Sequence, residues 1–386
     1  VMMLGAVGFM IGTGGSALVA KTLGEGRPEQ ANQYFSMLIL SDIISGLALT
    51  AGGLLALRRV ALFLGATGTM LEDCVLYGGI LLIGNVAFML QNSFQSFLVV
   101  AERPQMGLVI SILAGVTNMV FDFLLIYVFR LGLAGAAWAT VLSQVVGGIV
   151  PLIFFLRKNS TPLRLVRCRF DGRALWKSCM NGSSEMVTNL SMSLVNMLYN
   201  MQLMKYAGSH GVAAYGIIMY VSFVFVATFL GYSIGVSPII SYHYGAGNKG
   251  ELKSLFRKSL VLIIVSSVVL TGAAELLSGG LAGIFVSYDK ELLAMTTTAI
   301  QLYSISFLMN GGNIFGSAFF TALNNGVVSA MISFLRTMLF QVATILIMPL
   351  FWGLNGIWFA IVAAEALALA LTVIAFAVNR KKYQYI

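Results

Sequence analysis

Apolar residues in this chain come in long runs, with polar residues as short punctuation between them. The runs cover residues 1–20, 33–57, 75–100, 105–129, 134–157, 176–205, 212–240, 255–278, 292–322, 326–350 and 354–379. Each is long enough to cross about 30 Å of hydrocarbon at about 1.5 Å of rise per residue. The pattern predicts eleven membrane-spanning helices, and so an all-α polytopic membrane protein.

The runs also repeat. Residues 9–30 read FMIGTGGSALVAKTLGEGRPEQ and residues 230–251 read LGYSIGVSPIISYHYGAGNKGE. A gapless shift of 221 sets Gly14 on Gly235, Ser16 on Ser237, Gly24 on Gly245 and Gly26 on Gly247, and still sets Gly132 on Gly353 and Gly135 on Gly356. A repeat of this length is a statement about architecture. It divides the chain into a first lobe at 1–157 with five helices, a polar linker at 158–175, and a second lobe at 176–386 with six. The partner of the helix at 176–205 would fall before residue 1, so one N-terminal helix of a twelve-helix plan is expected to be missing, and the five helices of the first lobe correspond to helices 2–6. Equivalent positions are separated by an even number of helices, which makes the two lobes parallel repeats about an axis along the membrane normal. A cavity is expected between such lobes near mid-membrane.

Composition agrees with this class. Hydrophobic residues make up 59% of the chain and charged residues 10%, against about 25% charged in a soluble domain. The net charge of +9 reads as an orientation signal once it is sorted by loop. One side holds Lys21, Arg27, Arg103, the basic run from Arg157 to Lys177, Lys249, Lys253, Arg257, Lys258 and the tail Arg380, Lys381 and Lys382. The other holds Arg58, Arg59, Arg130, Lys205 and Lys290. The richer side is expected to be cytoplasmic, with the linker and the C-terminus, in a cell membrane. Nothing in this distribution calls for nucleic acid. Cys74, Cys168 and Cys179 are scattered, and His210 and His243 lie far apart, so no metal site or cofactor is expected.

The glycine runs at 12–15 and 231–235 are expected to let neighbouring helices approach closely. GEGRPE and GAGNKGE, which follow, are expected to end their helices in left-handed glycine caps. A phosphate cradle is the sharper alternative, but no strand precedes these glycines and the P-loop lysine and hydroxyl are not at their spacing.

Ionisable residues deep in a span need a partner, water or a proton, because a charge at helix centre costs about 2.5–3.5 kcal/mol on insertion scales. Four qualify: Asp122, Glu185, Arg336 and Glu365. Asp42 and Glu275 lie nearer helix ends and are set aside as solvated or snorkelling. Ser111, Gly115, Asn118 and Asp122 share one helical face, as do Glu185, Asn189, Met192, Asn196 and Asn200. These stripes are candidate linings for a cation or substrate, with interhelical hydrogen bonding as the plainer reading. Asn85, Asn92 and Ser96, with Gln91 and Gln95 beside them, match Ser306, Asn310, Asn313 and Ser317 across the repeat, where Asn92 falls on Asn313. Arg336 and Glu365 are expected to form a buried ion pair, either structural or part of coupling. The 20 methionines and 26 phenylalanines suit a pocket for lipophilic cations if some of them line it.

Taken together, the SPIISYHYGAGN run at 237–248, GTGGSALVAKTLGEG at 12–26, NMVFDFLLIY at 118–127, GLAGAAWATVLSQ at 132–144 and GSSE at 182–185 resemble the multidrug and toxic compound extrusion (MATE) family, in its bacterial branch. The resemblance covers the whole chain. It implies twelve helices in two lobes, alternating access, and export of organic cations and drugs against protons or sodium ions, by a transporter that is not an enzyme and is expected to act as a monomer. It places Asp122 at the acidic position of the fifth helix and Glu185 at that of the seventh. An acidic site that some branches carry on the first helix has no counterpart here. A flippase for a lipid-linked precursor and a non-transporting fragment are the alternatives. A channel lacks a symmetric ring of polar residues, and an intramembrane enzyme lacks a nucleophile–base pair.

Overall fold

The computed structural model describes residues 2–63, 65–286 and 289–385. Its helices are α1 (Met2–Gly24), α2 (Pro28–Phe63), α3 (Gly68–Ile83), α4 (Asn85–Val100), α5 (Pro104–Asp122), α6 (Gly132–Leu156), α7 (Gly172–Gly245), α8 (Lys249–Phe285), α9 (Lys290–Ser304), α10 (Phe307–Ala322), α11 (Gly326–Phe334) and α12 (Gln341–Tyr383). Two π-helical stretches, Phe123–Val128 and Leu335–Phe340, continue α5 and lead from α11 into α12. Backbone of non-helical geometry interrupts α7 at Gly208 and α12 at Gly353, so α7 holds two spans, while α12 completes the span that α11 begins and then adds one of its own.

The eleven predicted spans are all recovered, but two are not straight. The run at 75–100 bends by 50° between α3 and α4, and the run at 292–322 bends by 48° between α9 and α10. The bends fall at repeat-equivalent places, Gly84 and Ile305. Apolar periodicity carries no signal for such a bend, because both arms remain apolar. The expected caps are present. Gly26 and Gly247 have φ of 73° and 66°. Arg27 N–H donates to Thr22 O at 3.2 Å, and Asn248 N–H donates to His243 O at 3.0 Å, which closes the same C-terminal motif in both halves.

The chain packs as two compact units, 1–186 and 187–386. This division lies within α7, ten residues beyond the point where the repeat begins its second half. The reason is the contact between α1 and the first turns of α7, where Gly14 and Gly182 are so close that a Cβ on either would collide with the other helix's backbone. The equivalent glycines behave differently: around a Cβ at Gly231 or Gly235 the described residues leave open space. Close approach therefore holds for the first glycine run and not for the second.

Each unit has an aromatic core, and the cores repeat. In the first, Phe35 meets Phe155 with ring centroids 5.0 Å apart and Phe97 at 4.9 Å. In the second, Phe256 meets Phe376 at 5.0 Å and Phe319 at 4.9 Å. The shift of 221 carries Phe35 to Phe256, Phe94 to Phe315 and Phe155 to Phe376, whereas Phe97 and Phe319 are one residue out of step. Other faces, such as Ile264, Val265, Val268 and Val269 on α8, expose large apolar side chains, as a surface in contact with hydrocarbon would.

The polar linker is not a free tether. Arg164 N–H donates to Asn32 Oδ1 at 2.6 Å and Val166 N–H donates to Ser36 Oγ at 2.8 Å, while Leu163 is fully buried. It is pinned along α2.

Candidate functional site

In the second unit the polar residues converge. Arg336, in the π-helical stretch before α12, points its Nε at both carboxylate oxygens of Glu365, at 2.9 and 3.0 Å. Its Nη2 donates to Asn310 Oδ1. Asn313 Nδ2 donates to Glu365 Oε2 at 2.7 Å and to the Glu365 carbonyl at 3.0 Å, and Asn313 Oδ1 accepts from Thr372 at 3.0 Å. The Glu365 side chain is 1% exposed and that of Arg336 14%. A charge pair this deep is tolerable because its lone pairs and protons are occupied. Asn313 is thus engaged at both ends of its amide and faces no open space. Further along α10, Ser317 Oγ shares hydrogen bonds of 2.9 Å with Ser329 and Ser333 on α11.

The matched stripe of the first unit is buried too, but less fully hydrogen-bonded. Asn92 is 7% exposed and its Nδ2 is without a hydrogen-bond partner among the described residues. The shift carries Gln144 onto Glu365, and Gln144 Oε1 is likewise buried and unpartnered. Arg336 falls on Gly115, so the first unit has no cation at that position. Gln95 lines a cavity of about 10 Å³ with Gln91, Ser111 and Gly147, room for about one water.

Asp122 ends α5 at the point where the backbone turns π-helical, in the last third of the span Pro104–Val128. Such π-helical insertions are frequent at functional sites. Asp122 and Asn118 are both half-buried. Among the described residues no basic side chain lies within salt-bridge distance of Asp122, and no hydrogen bond reaches its carboxylate. Glu185 and Asn189 are half-buried on α7, Glu185 just inside the first unit and Asn189 just inside the second. Asn196 accepts a 2.7 Å hydrogen bond from Tyr215, whose ring stacks on Tyr199 with centroids 4.9 Å apart. Asn200 and Met192 are exposed, so that stripe does not run along one buried face.

Two residues set aside on the sequence have side-chain partners, and one of them is sealed from solvent. Asp42 is completely buried, and Ser93 Oγ lies 2.8 Å from its Oδ2. Glu275 is half-buried and accepts a 2.7 Å hydrogen bond from Ser304. A usable signal existed for Asp42: Ala31, Phe35, Leu38, Asp42 and Gly46 recur at steps of three and four, which is the buried face of α2. Distance from the helix end obscured it.

Among the described residues no three His, Cys, Asp or Glu side chains gather as a metal site. A hollow of about 750 Å³ runs beside α8 past Lys253, Arg257, Lys258, Val261 and Leu262, and none of the sequence-predicted site residues lines it.

Comparison with known proteins completes the description. A sequence profile of the family described as MatE matches residues 1–124 and 186–347, which is most of both halves. The Multidrug export protein MepA of Staphylococcus saprophyticus subsp. saprophyticus is 24% identical over 372 residues, spanning 96% of this chain and 82% of that protein. Its namesake in Staphylococcus aureus is 24% identical over 373 residues, with the same coverage of 96% and 82%. A crystal structure of MATE in complex with MaL6 superposes with a TM-score of 0.94 at 21% identity, covering 100% of this chain and 87% of that one. An outward-facing multidrug resistance MATE family transporter of the MOP superfamily gives 0.93 at 21% identity, covering 100% and 86%. The likeness to the solved structures is one of fold.

Proposed function

Because the chain belongs to the MatE family, whose members here are multidrug export proteins of the membrane, we propose that it exports organic cations and lipophilic drugs in exchange for protons or sodium ions. The observation that carries this reading is the contrast between two carboxylates. Glu365 is neutralised internally by Arg336. Asp122 sits in a membrane span with no basic partner among the described residues. A carboxylate so placed needs a cation from outside the chain, and a proton, a sodium ion and a cationic drug all qualify. Cations that compete for one negative field exchange for one another, which is the thermodynamic core of antiport by alternating access.

In this reading Asp122 is the exchanging group, with Asn118 one turn before it as a polar neighbour. Glu185, with Asn189 on the same face of α7, is a second acidic position. Asn92 and Gln95 add uncharged polar contacts in the first unit, and Asn196 adds one in the second. Asn313, Arg336 and Glu365 hold helices together. The basic loops, the linker at 158–175 and the C-terminus face the cytoplasm. The two repeats act as the transporter's lobes, no resident cofactor takes part, and the transporter works as a monomer.

The test is dye efflux from vesicles carrying the protein, with pH and sodium gradients imposed separately. Export driven by one of the two gradients supports the reading and identifies the ion. Dye retention under both gradients, with lipid movement between leaflets instead, favours the flippase.

A further inference from the structure

Among the described residues, the one side chain hydrogen-bonded to the Asp42 carboxylate is that of Ser93 on α4. Ser93 Oγ is 2.8 Å from Asp42 Oδ2 and 3.0 Å from the carbonyl oxygen of Gly8 on α1. A serine hydroxyl has one proton to donate, so it serves only one of these two acceptors. If Asp42 is ionised, Ser93 donates to it and is left facing the Gly8 carbonyl, lone pair against lone pair. The other carboxylate oxygen, Oδ1, is then buried, charged and without a hydrogen-bond partner. If Asp42 carries a proton, the hydrogen bonds run in one direction. Asp42 donates to Ser93 Oγ, and Ser93 donates to the Gly8 carbonyl. Oδ1 is then an uncharged carbonyl oxygen, whose burial costs far less than that of a carboxylate.

Among the described residues nothing charged compensates an ionised Asp42. On α1 the one ionisable side chain is Lys21, thirteen residues beyond Gly8, and α4 has none. Glu72, Asp73, Cys74 and Tyr77 of α3 belong to the stretch that packs beside Leu57 and Thr50, two or more turns along α2. Arg164, Arg167, Cys168, Arg169 and Asp171 belong to the linker, which is pinned at the Asn32–Met37 end. On α2 itself Glu29, Arg58 and Arg59 are more than ten residues away, and Tyr34 is held by Gln30.

The Gly8 carbonyl reaches Ser93 because α1 and α4 touch backbone to backbone. A Cβ on Gly8 would lie 2.7 Å from Met89 Cα, and one on Gly12 2.7 Å from Ser93 Cα. We propose that Asp42, Ser93 and the Gly8 carbonyl form a proton-binding site in the first unit, occupied in this arrangement and linked to the α1–α4 contact. If α1 moves off α4, Ser93 loses its acceptor and turns its proton to Asp42. That stabilises the carboxylate and releases the acid proton. Proton binding and the α1–α4 contact therefore favour each other. The site concerns a proton held without any transported solute, so it stands whether or not the export reading does.

Infrared difference spectroscopy of the purified protein in lipid nanodiscs tests it. At neutral pH the wild type is expected to show a carboxylic-acid C=O band that Asp42→Asn lacks. In Ser93→Ala the band is expected to persist and shift to higher frequency as its hydrogen bond is lost. If Asp42→Asn does not fold, the Ser93→Ala shift alone carries the test. On raising the pH, bleaching of the band is expected to accompany faster amide hydrogen exchange in α1. An acid region unchanged by both substitutions overturns the proposal, as does a carboxylate band that is missing from Asp42→Asn and moves when sodium is replaced by choline. Bleaching without any change in α1 exchange overturns the linkage.

Discussion

Arg336 Nε sits 2.9 and 3.0 Å from the two oxygens of Glu365, across a sequence separation of 29 residues and with the carboxylate almost wholly sealed from solvent. Removing either partner strands a buried charge, at about 3–5 kcal/mol, whereas replacing both with apolar residues of similar size is near neutral. Glu365→Gln and Arg336→Met are each expected to lower the thermal midpoint in detergent markedly. The double replacement Arg336→Met with Glu365→Leu is expected to recover most of that loss.

Asn92 and Asn313 occupy equivalent positions but are expected to respond oppositely to truncation. Asn313→Ala removes hydrogen bonds to Glu365 and leaves a charged acceptor short, a loss of about 1–3 kcal/mol. Asn92→Ala removes an amide whose Nδ2 has no partner among the described residues, so its cost is expected to be far smaller. Chemical denaturation of the two variants side by side checks this.

Gly14→Ala and Gly235→Ala form a second matched pair. A methyl group at Gly14 meets the backbone of α7 at Ser178 and Gly182, and overpacking of this kind costs about 1–3 kcal/mol. Around Gly235 there is open space. The fraction of monodisperse protein after heating, read by size exclusion, is expected to fall for Gly14→Ala and to match wild type for Gly235→Ala.

Asp122→Asn removes the charge without changing the shape of the side chain. Since no ion pair is broken, expression and thermal midpoint are expected to match or slightly exceed wild type. Ion-gradient-driven dye export is expected to fall to the level of empty vesicles. Normal export by this variant assigns the coupling cation elsewhere.

Much of this protein is written locally. Spans follow from run length, because a helix that satisfies its own backbone is the form in which an isolated apolar segment crosses hydrocarbon. The repeat follows from spacing alone, and the caps at Gly26 and Gly247 follow from it. Even the pairing of Arg336 with Glu365 was legible, since Arg336 lies deep inside a span and needs an anion at its depth. What stayed hidden depends on where helices meet. Asp42 reads as an end-of-helix acid until α1, α2 and α4 close over it. Asn92 and Asn313 read alike until Glu365 arrives from α12 for one of them and uncharged Gln144 stands at the matching position for the other. Gly14 and Gly235 align perfectly, yet only the first faces another backbone. Burial and hydrogen bonding are relations between segments far apart in the chain, so the sequence by itself named the charged residues in the membrane, and only the tertiary structure decided which of them have partners.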